Sequence, residues 1–532
     1  MFHQNHPALL ERDGFLKLKK MRFCSTLLLC LVAATASTQT FNERYGGVVN
    51  PENSTVCRSA CILNDTIYVF AAEKTTDGAP EGLESWKNGF YKVDLYGNLV
   101  SYQLHGGYPE WTYYGWADSM QPTDDGSLAA FSWYSNETLD TIFYARIQKF
   151  DTNGNELWEK FYGDSIHDHA FMQGKPTSDG GFICIGSAIL IENFPKFYVV
   201  KTDSTGNEEW HKYLGFGDKY RSGIWVNELQ NSSGFVVSGF EDDTEYDPAA
   251  LVFVLDTLGN ITDWEKYSNW GNYDSQSAEG ILNCSSGGFI FGSERNVEET
   301  GTFEYTQIPQ LVRIDNGLDT LWTCDLFSEP NPSASAQVIQ ETPEGDFVTV
   351  GTMIDLGSAG TGVGHISKVS ATGELLWHRT YRYAEFGDNL LFDIDPMPNG
   401  GFLCTGWMNG IPFLGDSIPD QDAWLLAVDS MGCLVPGCDT LDIAVSEVNP
   451  IEFSVYPNPA DQFINIAFSK HQSLGQAEIK LYDLQGRLIK SVVITHAQAT
   501  YMLECVSLEN GSYLLAIEGG GLRTSKKIIV EH

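Results

Sequence analysis

A two-part segment recurs along this chain at a nearly constant spacing. Its clearest copy reads Thr177-Ser-Asp-Gly-Gly-Phe-Ile-Cys-Ile-Gly186, then a variable stretch, then Phe197-Tyr-Val-Val-Lys-Thr-Asp-Ser-Thr-Gly-Asn-Glu-Glu-Trp210. The glycine of the second part recurs, 52 to 59 residues apart, at Gly97, Gly154, Gly206, Gly259, Gly317, Gly373 and Gly432. Repetition at a fixed period means that each copy folds into the same supersecondary unit.

Each copy predicts four short β-strands. The runs Phe182-Ile-Cys-Ile and Phe197-Tyr-Val-Val are rich in β-branched and aromatic residues, and Gly-containing turns bound them. Two hairpins per copy give four strands, and four strands in roughly 40–55 residues without helical periodicity are typical of a propeller blade. We therefore expect an all-β chain whose main part is a seven-bladed β-propeller. The tryptophan that follows the repeat glycine, such as Trp158, should pack between neighbouring blades.

The two ends of the repeat region complement each other. The seventh copy stops after Gly432 without the outer strand that reads Trp158-Glu-Lys-Phe-Tyr-Gly163 in the second copy. A similar segment, Phe41-Asn-Glu-Arg-Tyr-Gly46, stands alone near the N-terminus. Lending an N-terminal strand to the last blade removes an exposed sheet edge. The sequence predicts a propeller over residues 39–442 that this strand closes.

The first residues have the pattern of a secretory signal peptide. Basic residues precede the apolar run from Leu27 to Ala34, and small residues follow it. The run is too short for a permanent membrane span, and we expect no transmembrane segment elsewhere. Residues 1–38 are thus predicted to be a signal region, with Met21 as an alternative start that would leave residues 1–20 as an extension.

Charge and cysteine content agree with an exported protein. The formal net charge of −38 repels phosphate backbones, so nucleic acid is not an expected partner. Two of the 11 cysteines lie in the signal region, which leaves nine, an odd number, in a compartment that permits disulfides. Cys433 and Cys438 could close a small loop, and Cys57 and Cys61 form a second close pair.

The tail after the repeats has a different pattern. Alternating strands split by Gly and Pro turns predict one small sandwich over residues 453–532, after a linker at 443–452. The pieces that stand out are Tyr456-Pro457-Asn458-Pro459, the turn at Gly486, the strand start at Gly511 and the basic pair Lys526 and Lys527.

Together these tail motifs resemble the type A C-terminal sorting domain of the type IX (Por) secretion system of Bacteroidetes. The resemblance covers about 80 residues. It implies an immunoglobulin-like β-sandwich, Sec export to the periplasm and recognition by the type IX translocon. Release from the cell or attachment to the outer-membrane surface would follow. It implies nothing about the activity of the repeat region.

The linkers between repeats are the best candidates for a ligand face. Gly-Asp recurs there beside tryptophan and tyrosine, and aromatic faces next to carboxylates suit sugar or peptide recognition. The alternative is that these aspartates cap loops and the rings pack between blades. The predicted ligand-face residues are Trp111, Tyr114, Trp116, Asp164, Asp218, Trp225 and Asp388.

Cofactor and metal sites are weakly supported. The hairpin Asp203 to Trp210 resembles the repeat of pyrroloquinoline-quinone dehydrogenases and is near the Asp-box of sialidases, but the spacings differ in both cases. Asp151-Thr-Asn-Gly-Asn155 offers oxygens for calcium without the distal acid of a full loop. His167 and His169 share one side of an extended segment. We expect no catalytic residue, cofactor or metal, with calcium as a minor alternative.

The leading functional hypothesis is a secreted or surface-displayed binding, adhesion or scaffold module without catalysis. Its partners would be the type IX translocon and an extracellular glycan or protein ligand. The alternative is an extracellular hydrolase or lyase with its site at the mouth of the propeller channel. A tight cluster of acid, base and metal ligands at that mouth would favour the enzyme, and scattered carboxylates with aromatics would favour binding.

Overall fold

The computed structural model describes most of the chain from residue 40 onward. The described residues are 40–45, 54–75, 85–107, 110–136, 140–190, 194–215, 219–242, 249–267, 277–298, 305–327, 331, 334–355, 361–383, 387–409, 421–434, 438, 453–468, 477–483, 487–494, 500–508, 510–519 and 522–532. The chain divides into two compact units, Met1–Cys438 and Asp439–His532. The predicted signal region and linker lie outside the described residues.

The first unit consists of β-strands that group into sheets in chain order. The first strand is β1 (Phe41–Tyr45), which joins the last sheet of this unit. Sheet 1 contains β2 (Thr55–Leu63), β3 (Thr66–Thr75), β4 (Ser85–Asp94) and β5 (Leu99–His105). Sheet 2 contains β6 (Glu110–Tyr114), β7 (Met120–Pro122), β8 (Leu128–Asn136), β9 (Asp140–Phe150) and β10 (Glu156–Tyr162). Sheet 3 contains β11 (Asp168–Pro176), β12 (Phe182–Ile189), β13 (Pro195–Thr202) and β14 (Glu208–Leu214).

The same order of strands continues to the end of this unit. Sheet 4 contains β15 (Tyr220–Glu228), β16 (Gly234–Asp242), β17 (Ala249–Asp256) and β18 (Ile261–Tyr267). Sheet 5 contains β19 (Glu279–Asn283), β20 (Phe289–Glu298), β21 (Tyr305–Ile314) and β22 (Thr320–Asp325). Sheet 6 contains β23 (Ile339–Glu341), β24 (Phe347–Asp355), β25 (Thr361–Val369) and β26 (Leu375–Tyr381). Sheet 7 contains β27 (Asn389–Pro396), β28 (Phe402–Asn409), β29 (Gln421–Val428) and β1, and one parallel residue pair, Val363 with Asn389, links it to sheet 6.

Neighbouring sheets pack through their first strands. Strand β11 contacts sheet 2, β15 contacts sheet 3, β19 contacts sheet 4, β23 contacts sheet 5 and β27 contacts sheet 6. Strand β2 of sheet 1 contacts β27, β28 and β29 of sheet 7, so the series returns to its start. Apolar clusters fill the space between sheets, for example Phe131 of sheet 2 with Phe182 of sheet 3. An all-β unit of successive sheets, most of them four-stranded, is consistent with a β-propeller.

The turn between the third and fourth strands explains the repeat motif. In sheet 3, Oδ1 of Asp203 accepts hydrogen bonds from the amides of Thr205 and Asn207, and Oδ2 accepts one from Nδ2 of Asn207. Gly206 has a φ of 77°, and a Cβ there would lie 2.8 Å from the ring of Trp158 in the preceding sheet. The motif thus needs glycine for both the turn and the inter-sheet contact. The contact agrees with the prediction that the tryptophan packs between blades.

Strand β1 reproduces this contact at the junction of sheets 7 and 1. It pairs antiparallel with β29, from Phe41 opposite Ala427 to Tyr45 opposite Ala423. A Cβ on Gly97 of sheet 1 would lie 2.9 Å from the ring of Phe41. The hydroxyl of Tyr45 donates to the carbonyl of Gly97 over 2.5 Å, as Tyr162 does to Gly206 over 2.7 Å.

The second unit contains two antiparallel sheets with one shared core. One sheet contains β30 (Phe453–Tyr456), β31 (Phe463–Phe468) and β34 (Thr500–Glu504). The other contains β32 (Ala477–Asp483), β33 (Leu488–Ile494), β35 (Gly511–Gly519) and β36 (Leu522–Val530). Buried residues from both sheets, including Ile464, Leu481, Leu503 and Leu515, form a single apolar cluster. In the part of the chain that the structure describes, no helix is long and apolar enough to cross a membrane.

Candidate functional site

The first strand of most sheets contains one extra residue near its middle. In sheets 1, 3, 4 and 7 the pairing with the second strand skips Arg58, Met172, Ile224 and Phe392, respectively. In sheet 2 a longer interruption between β6 and β7 contains Trp116. A β-bulge bends the strand and redirects its extra side chain. These bulges place one extra residue on the first strand of each of several sheets.

A glycine of the second strand makes room for the bulge. In sheet 3, a Cβ on Gly186 would lie 1.8 Å from the carbonyl oxygen of Ala170 in β11. The corresponding distances are 2.0 Å for Gly239 and 1.8 Å for Gly406, again to carbonyl oxygens of the first strand. Any side chain at these places would collide with the bulged backbone. In sheets 3, 4 and 7 the glycine that ends the first part of the sequence repeat is therefore required by the bulge.

Side chains from three sheets meet at Arg58. Its guanidinium carbon lies 4.3 Å from the ring centroid of Trp116 in sheet 2 and 4.7 Å from that of Phe392 in sheet 7. Both distances are within the range of cation–π attraction. Arg58 also attracts the carboxylate of Glu279 in sheet 5, which is 9% exposed. We call Arg58, Trp116, Phe392 and Glu279 the axial cluster.

Glu279 belongs to a buried pair of carboxyl groups. The hydroxyl of Ser277 lies 3.3 Å from Oε1 of Glu279 and 3.1 Å from Oε2 of Glu294. Burial raises the pKa of Glu279 to about 7. Burial, and then the charge of Glu279, raise the pKa of Glu294 well above its ordinary value. One hydroxyl between two buried carboxyl groups favours a state in which at least one of them holds a proton.

A second polar cluster lies towards the C-terminal ends of the first strands. Asp118 pairs with Lys175 and accepts a hydrogen bond of 2.8 Å from Nε2 of Gln173. Oδ2 of Asp393 accepts from the amide of Ala60 over 3.1 Å. Burial, followed by the charge of Asp118, raises the pKa of Asp395 to about 7. The contacts of Asp118 join sheets 2 and 3, and the hydrogen bond between Ala60 and Asp393 joins sheets 1 and 7.

The structure distributes the predicted ligand-face residues over different environments. Asp164 is exposed and accepts from the amides of Ile166 and His167 over 2.8 Å each. Asp388 accepts from the amide of Gly362 over 2.7 Å. Trp116 belongs to the axial cluster, and Trp225 is 2% exposed within the apolar core. Asp218 and the side chains of Trp111 and Tyr114 lie outside the described residues.

Two motifs considered for metal binding are occupied by local contacts. Both carboxylate oxygens of Asp151 accept hydrogen bonds within their own turn, from Asn153 and Asn155. His169 is buried, with Nε2 lying 3.0 Å from the hydroxyl of Tyr213, and His167 pairs with Asp164. Within the described ranges, no group of three or more His, Cys, Asp or Glu side chains could hold a metal ion.

The cysteines among the described residues are either paired or buried. Cys433 and Cys438 form a disulfide with a Cα–Cα distance of 5.7 Å. The close pair Cys57 and Cys61 remains as two free, buried thiols on β2. Burial raises the pKa of Cys57 to about 12, so its thiol is not activated as a nucleophile.

The axial residues other than Trp116 were not singled out from the sequence. Arg58, Glu279 and Phe392 have no shared motif, because each is a different residue type, and neither does Glu294, the partner of Glu279. The repeat spacing is the sequence feature that relates Arg58 to Trp116. The interval from Arg58 to Trp116 falls within the spacing of the repeat glycines, so aligning the first strands brings the two residues to equivalent places.

In the second unit, Asn458 fastens the last strand. Its Oδ1 accepts from the amide of Ile529 over 2.7 Å, and its Nδ2 donates to the carbonyl of Lys527 over 3.2 Å. Tyr456 is half-exposed beside it, and Lys526 and Lys527 are exposed on β36. Gly511 begins β35, and Gly486 lies outside the described residues. Most of the predicted sorting residues therefore cluster around one strand end.

Comparison with known proteins bears directly on this second unit. Residues 454–531 match the family described as the secretion system C-terminal sorting domain. Such a domain indicates type IX export to the cell surface or the extracellular space. The chain is thus an exported protein with a type IX sorting tail. No curated protein matches the chain.

Solved structures give only distant likenesses. The α-L-arabinofuranosidase Arb93A of Fusarium graminearum is 13% identical, with 57% of this chain and 91% of that chain covered and a TM-score of 0.40. The α-L-arabinanase of Penicillium chrysogenum is 11% identical over 74% and 99%, with a TM-score of 0.38. The β-propeller domain of the Trilobed protease from Pyrococcus furiosus is 9% identical over 70% and 95%, with a TM-score of 0.38. At these TM-scores the likenesses carry no argument about fold or activity.

Proposed function

We propose that this protein is a secreted or surface-displayed binding module of a Bacteroidetes bacterium, built as a closed seven-bladed β-propeller with a sorting tail. Support for seven blades comes from the strand grouping of the described residues into sheets 1 to 7 and from the pairing of β1 with β29. The contact of β2 with sheet 7 supports closure of the ring. The residues of the propeller are proposed to be 39–442.

The export route follows from the two ends of the chain. The signal region at residues 1–38 would direct Sec export to the periplasm. The tail at residues 453–532, with an immunoglobulin-like sandwich, would then be recognised by the type IX translocon. The two sheets that share a core in this unit support the sandwich. The protein would finally be released or remain attached to the outer-membrane surface.

The ligand is proposed to bind at the propeller face where the sheet-to-sheet linkers gather. Each linker joins the last strand of one sheet to the first strand of the next, so the linkers lie at the N-terminal ends of the first strands. The axial cluster lies further along those strands. The observation that carries the proposal is the stacking of Arg58 on rings from two other sheets. This arrangement joins charge and aromatic surface where sheets converge, as recognition sites do.

Binding is preferred to catalysis because of how the carboxylates are used. Asp164 and Asp388 accept hydrogen bonds from backbone amides, and Asp118 is paired with Lys175. The carboxyl pair of Glu279 and Glu294 favours the alternative, a hydrolase or lyase, because paired carboxyl groups can exchange protons with a substrate. Their burial leaves little surface for a substrate to reach.

A binding screen with matched variants tests this function. The purified mature chain is applied to glycan and protein arrays, and its best ligand is titrated against Trp116→Ala and Trp158→Ala. We expect Trp116→Ala to weaken binding at least tenfold with a small change in melting temperature. Trp158→Ala should lower stability and leave the affinity of the folded fraction unchanged. Equal affinities for both variants would contradict the proposed face.

The enzyme alternative is tested in parallel. Array glycans and peptides are incubated with the wild-type chain and with Glu279→Gln and Glu294→Gln. Product formation by the wild type that both variants abolish would establish the hydrolase or lyase and overturn the binding assignment. Retained ligand without product formation supports the binding module.

A further inference from the structure

The closing strand β1 has an attachment outside its pairing with β29. Thr40, the residue before β1, donates from its hydroxyl to the carbonyl of Leu434 over 2.5 Å. Leu434 lies 394 residues later in the sequence, after the turn that follows β29, and its side chain packs against the apolar core. The start of the closing strand is therefore held by the segment in which the first unit ends.

This segment is a short loop that the disulfide of Cys433 and Cys438 closes, with a Cα–Cα distance of 5.7 Å. Leu434 belongs to the loop, because it follows Cys433 directly. Cys433 is 1% exposed, whereas Cys438 is partly exposed and is the last residue of the first unit. The disulfide thus ties the point where the chain leaves this unit to a buried position, and it keeps the acceptor of Thr40 inside a closed loop.

The buried end of the disulfide is fixed by the turn after β29 and by sheet 6. Oδ1 of Asp429 accepts a hydrogen bond of 2.7 Å from the amide of Cys433. The hydroxyl of Tyr381, at the end of β26, donates to the carbonyl of Gly432 over 2.6 Å. A Cβ on Gly432 would lie 2.9 Å from the ring of Trp377, which is also on β26. Cys433 is therefore a fixed anchor to which Cys438 is joined.

Redox conditions act on this loop selectively. Among the described residues, the other seven cysteines are free and buried. Joining Cys433 to Cys438 removes two protons and two electrons, which a disulfide donor takes up as it is reduced to two thiols. Thiols stay reduced in the cytosol and form disulfides in exported proteins. The loop is thus open in one compartment and closed in the other.

We propose that the Cys433–Cys438 disulfide is a redox-dependent lock on the closing strand. In the oxidised chain, the closed loop of residues 433–438 limits the conformations of Leu434 and holds its carbonyl in place for Thr40. In the reduced chain, more residues must be ordered before Thr40 can bond. Strand β1 therefore separates from β29 more often in the reduced chain.

The lock couples the closing of the first unit to the compartment in which the protein resides. The precursor is reduced in the cytosol, where β1 follows the predicted signal region and separates readily from β29. Oxidation after Sec export then secures β1. The inference goes beyond the proposed binding function and does not depend on the ligand face.

Hydrogen exchange measured by mass spectrometry tests the lock. The mature chain is produced in a reducing cytosol, then either kept in dithiothreitol or oxidised with glutathione disulfide, and compared with Cys438→Ser. Amides of β1 should exchange at least about fivefold faster in the reduced chain and in Cys438→Ser than in the oxidised chain, equal to about 1 kcal/mol. Amides of β12 and β13 in sheet 3 should exchange alike in all three samples.

Two further variants identify the contact that the lock controls. Ser430→Ala, at an exposed residue of the same turn, should match the wild type in both redox states. Thr40→Val removes the donating hydroxyl. In the oxidised state its β1 amides should exchange faster than those of the wild type, and most of the response to dithiothreitol should be lost.

Alkylation of the unfolded protein checks the disulfide itself, and two fewer cysteines should be labelled in the oxidised wild type than in the reduced one. An equal number would show that the disulfide does not form and would overturn the inference. Three further results would each overturn it: equal exchange of β1 in the oxidised and reduced chains, an equal acceleration in sheet 3, or a response of Cys438→Ser to dithiothreitol.

Discussion

At the scale of single residues, the glycines of the repeat are required for two different structural reasons. Gly206 is needed for a turn with positive φ, whereas Gly186 is needed because a bulged backbone comes close to it. Only the first reason is visible in the sequence, where Asp-x-x-Gly-Asn is a familiar turn pattern. The second depends on an extra residue in a neighbouring strand, and no local pattern marks such a residue.

Replacing Gly186 by alanine should destabilise the first unit strongly. The new Cβ would lie 1.8 Å from the carbonyl oxygen of Ala170, so the strands must separate, at a cost of about 1–3 kcal/mol or more. Gly317→Ala is the matched control, because its nearest neighbour would be a side-chain oxygen at 3.4 Å. Chemical denaturation measures both variants. Equal stability of the two would show that sheet 3 tolerates a side chain beneath its bulge.

Gly317 also shows where sequence alignment fails. The repeat places it with the turn glycines, but the residue with positive φ in this turn is Leu318. The amide of Leu318 donates to the carbonyl of Asp315, as that of Gly259 does to Asp256. The repeat alignment selects Gly317 because glycine is the usual residue at a position with positive φ, whereas leucine rarely adopts it. Burial of its side chain offsets that strain.

Stability should depend on pH through the buried carboxyl pair. Because the pKa of Glu279 is raised to about 7 from an ordinary value near 4.5, the folded state binds more protons than the unfolded state between these limits. Stability is therefore highest near the lower limit and falls as the pH rises towards about 7. Asp395, whose pKa is also raised to about 7, contributes in the same direction.

The test is to measure melting temperatures from pH 4.5 to 8 for the wild type and Glu279→Gln. We expect the variant to lose part, and not all, of the decline with pH, since Asp395 and Glu294 remain. Glu344→Gln, at an exposed turn residue, should follow the wild type. A decline of unchanged steepness in Glu279→Gln would show that Glu279 is ionised throughout this range.

At the scale of elements, β1 supplies more than backbone pairing. Asn42 accepts a hydrogen bond of 2.6 Å from Nε1 of the fully buried Trp424. Nε of Arg44 lies 2.5 Å from Oδ2 of Asp422, whose side chain is 2% exposed. Trp424 and Asp422 both belong to β29. Strand β1 thus provides hydrogen-bond and ion-pair partners for buried polar groups of β29.

Arg44→Ala should lower the free energy of unfolding by about 1–3 kcal/mol, because it removes a counter-charge from a buried carboxylate. Glu43→Ala, at an exposed neighbour on the same strand, should have a small effect. A double-mutant cycle with Asp422→Asn measures the pairing directly. If Arg44→Ala costs the same in the presence of Asp422→Asn, the two side chains are not coupled.

The sequence predicts β1 better than it predicts the candidate site. The match of Phe41-Asn-Glu-Arg-Tyr-Gly46 to the outer strands indicates a partner, since strands of one pattern occupy one place in a repeat. Trp225 is harder to interpret. A tryptophan after a polar linker fits a ligand face, yet it lies on β15 with 2% of its surface exposed. Its direction depends on the bulge at Ile224, which shifts the alternation of faces by one residue.

At the scale of the whole molecule, export and folding should be separable. The two units have separate apolar clusters. Cutting the chain before Val455 should therefore leave the first unit folded and held in the periplasm, because the sorting domain is lost. Cell fractionation and limited proteolysis measure location and folding. Surface display of the shortened protein would contradict the export assignment.

A reciprocal fusion completes this test. Residues 439–532 joined to an unrelated periplasmic reporter should carry that reporter to the cell surface. The control is the same fusion with Asn458→Ala and Lys526→Ala, which removes one strand anchor and one exposed basic group. A reporter that stays in the periplasm with the unaltered tail would show that the tail is insufficient for sorting.

Pairing β1 with β29 has a consequence for how the protein is made. Asn42 and Trp424 are 382 residues apart in sequence. Strand β1 is therefore synthesised first and cannot pair until β29, the last strand of the first unit, has been synthesised. Pairing between strands so distant in sequence forms more slowly during folding than pairing between neighbouring strands. A chain that ends before β29 leaves β1 without its partner strand and β28 with an open edge. Such incomplete chains therefore expose unpaired strand edges to proteases and to aggregation until synthesis has passed β29.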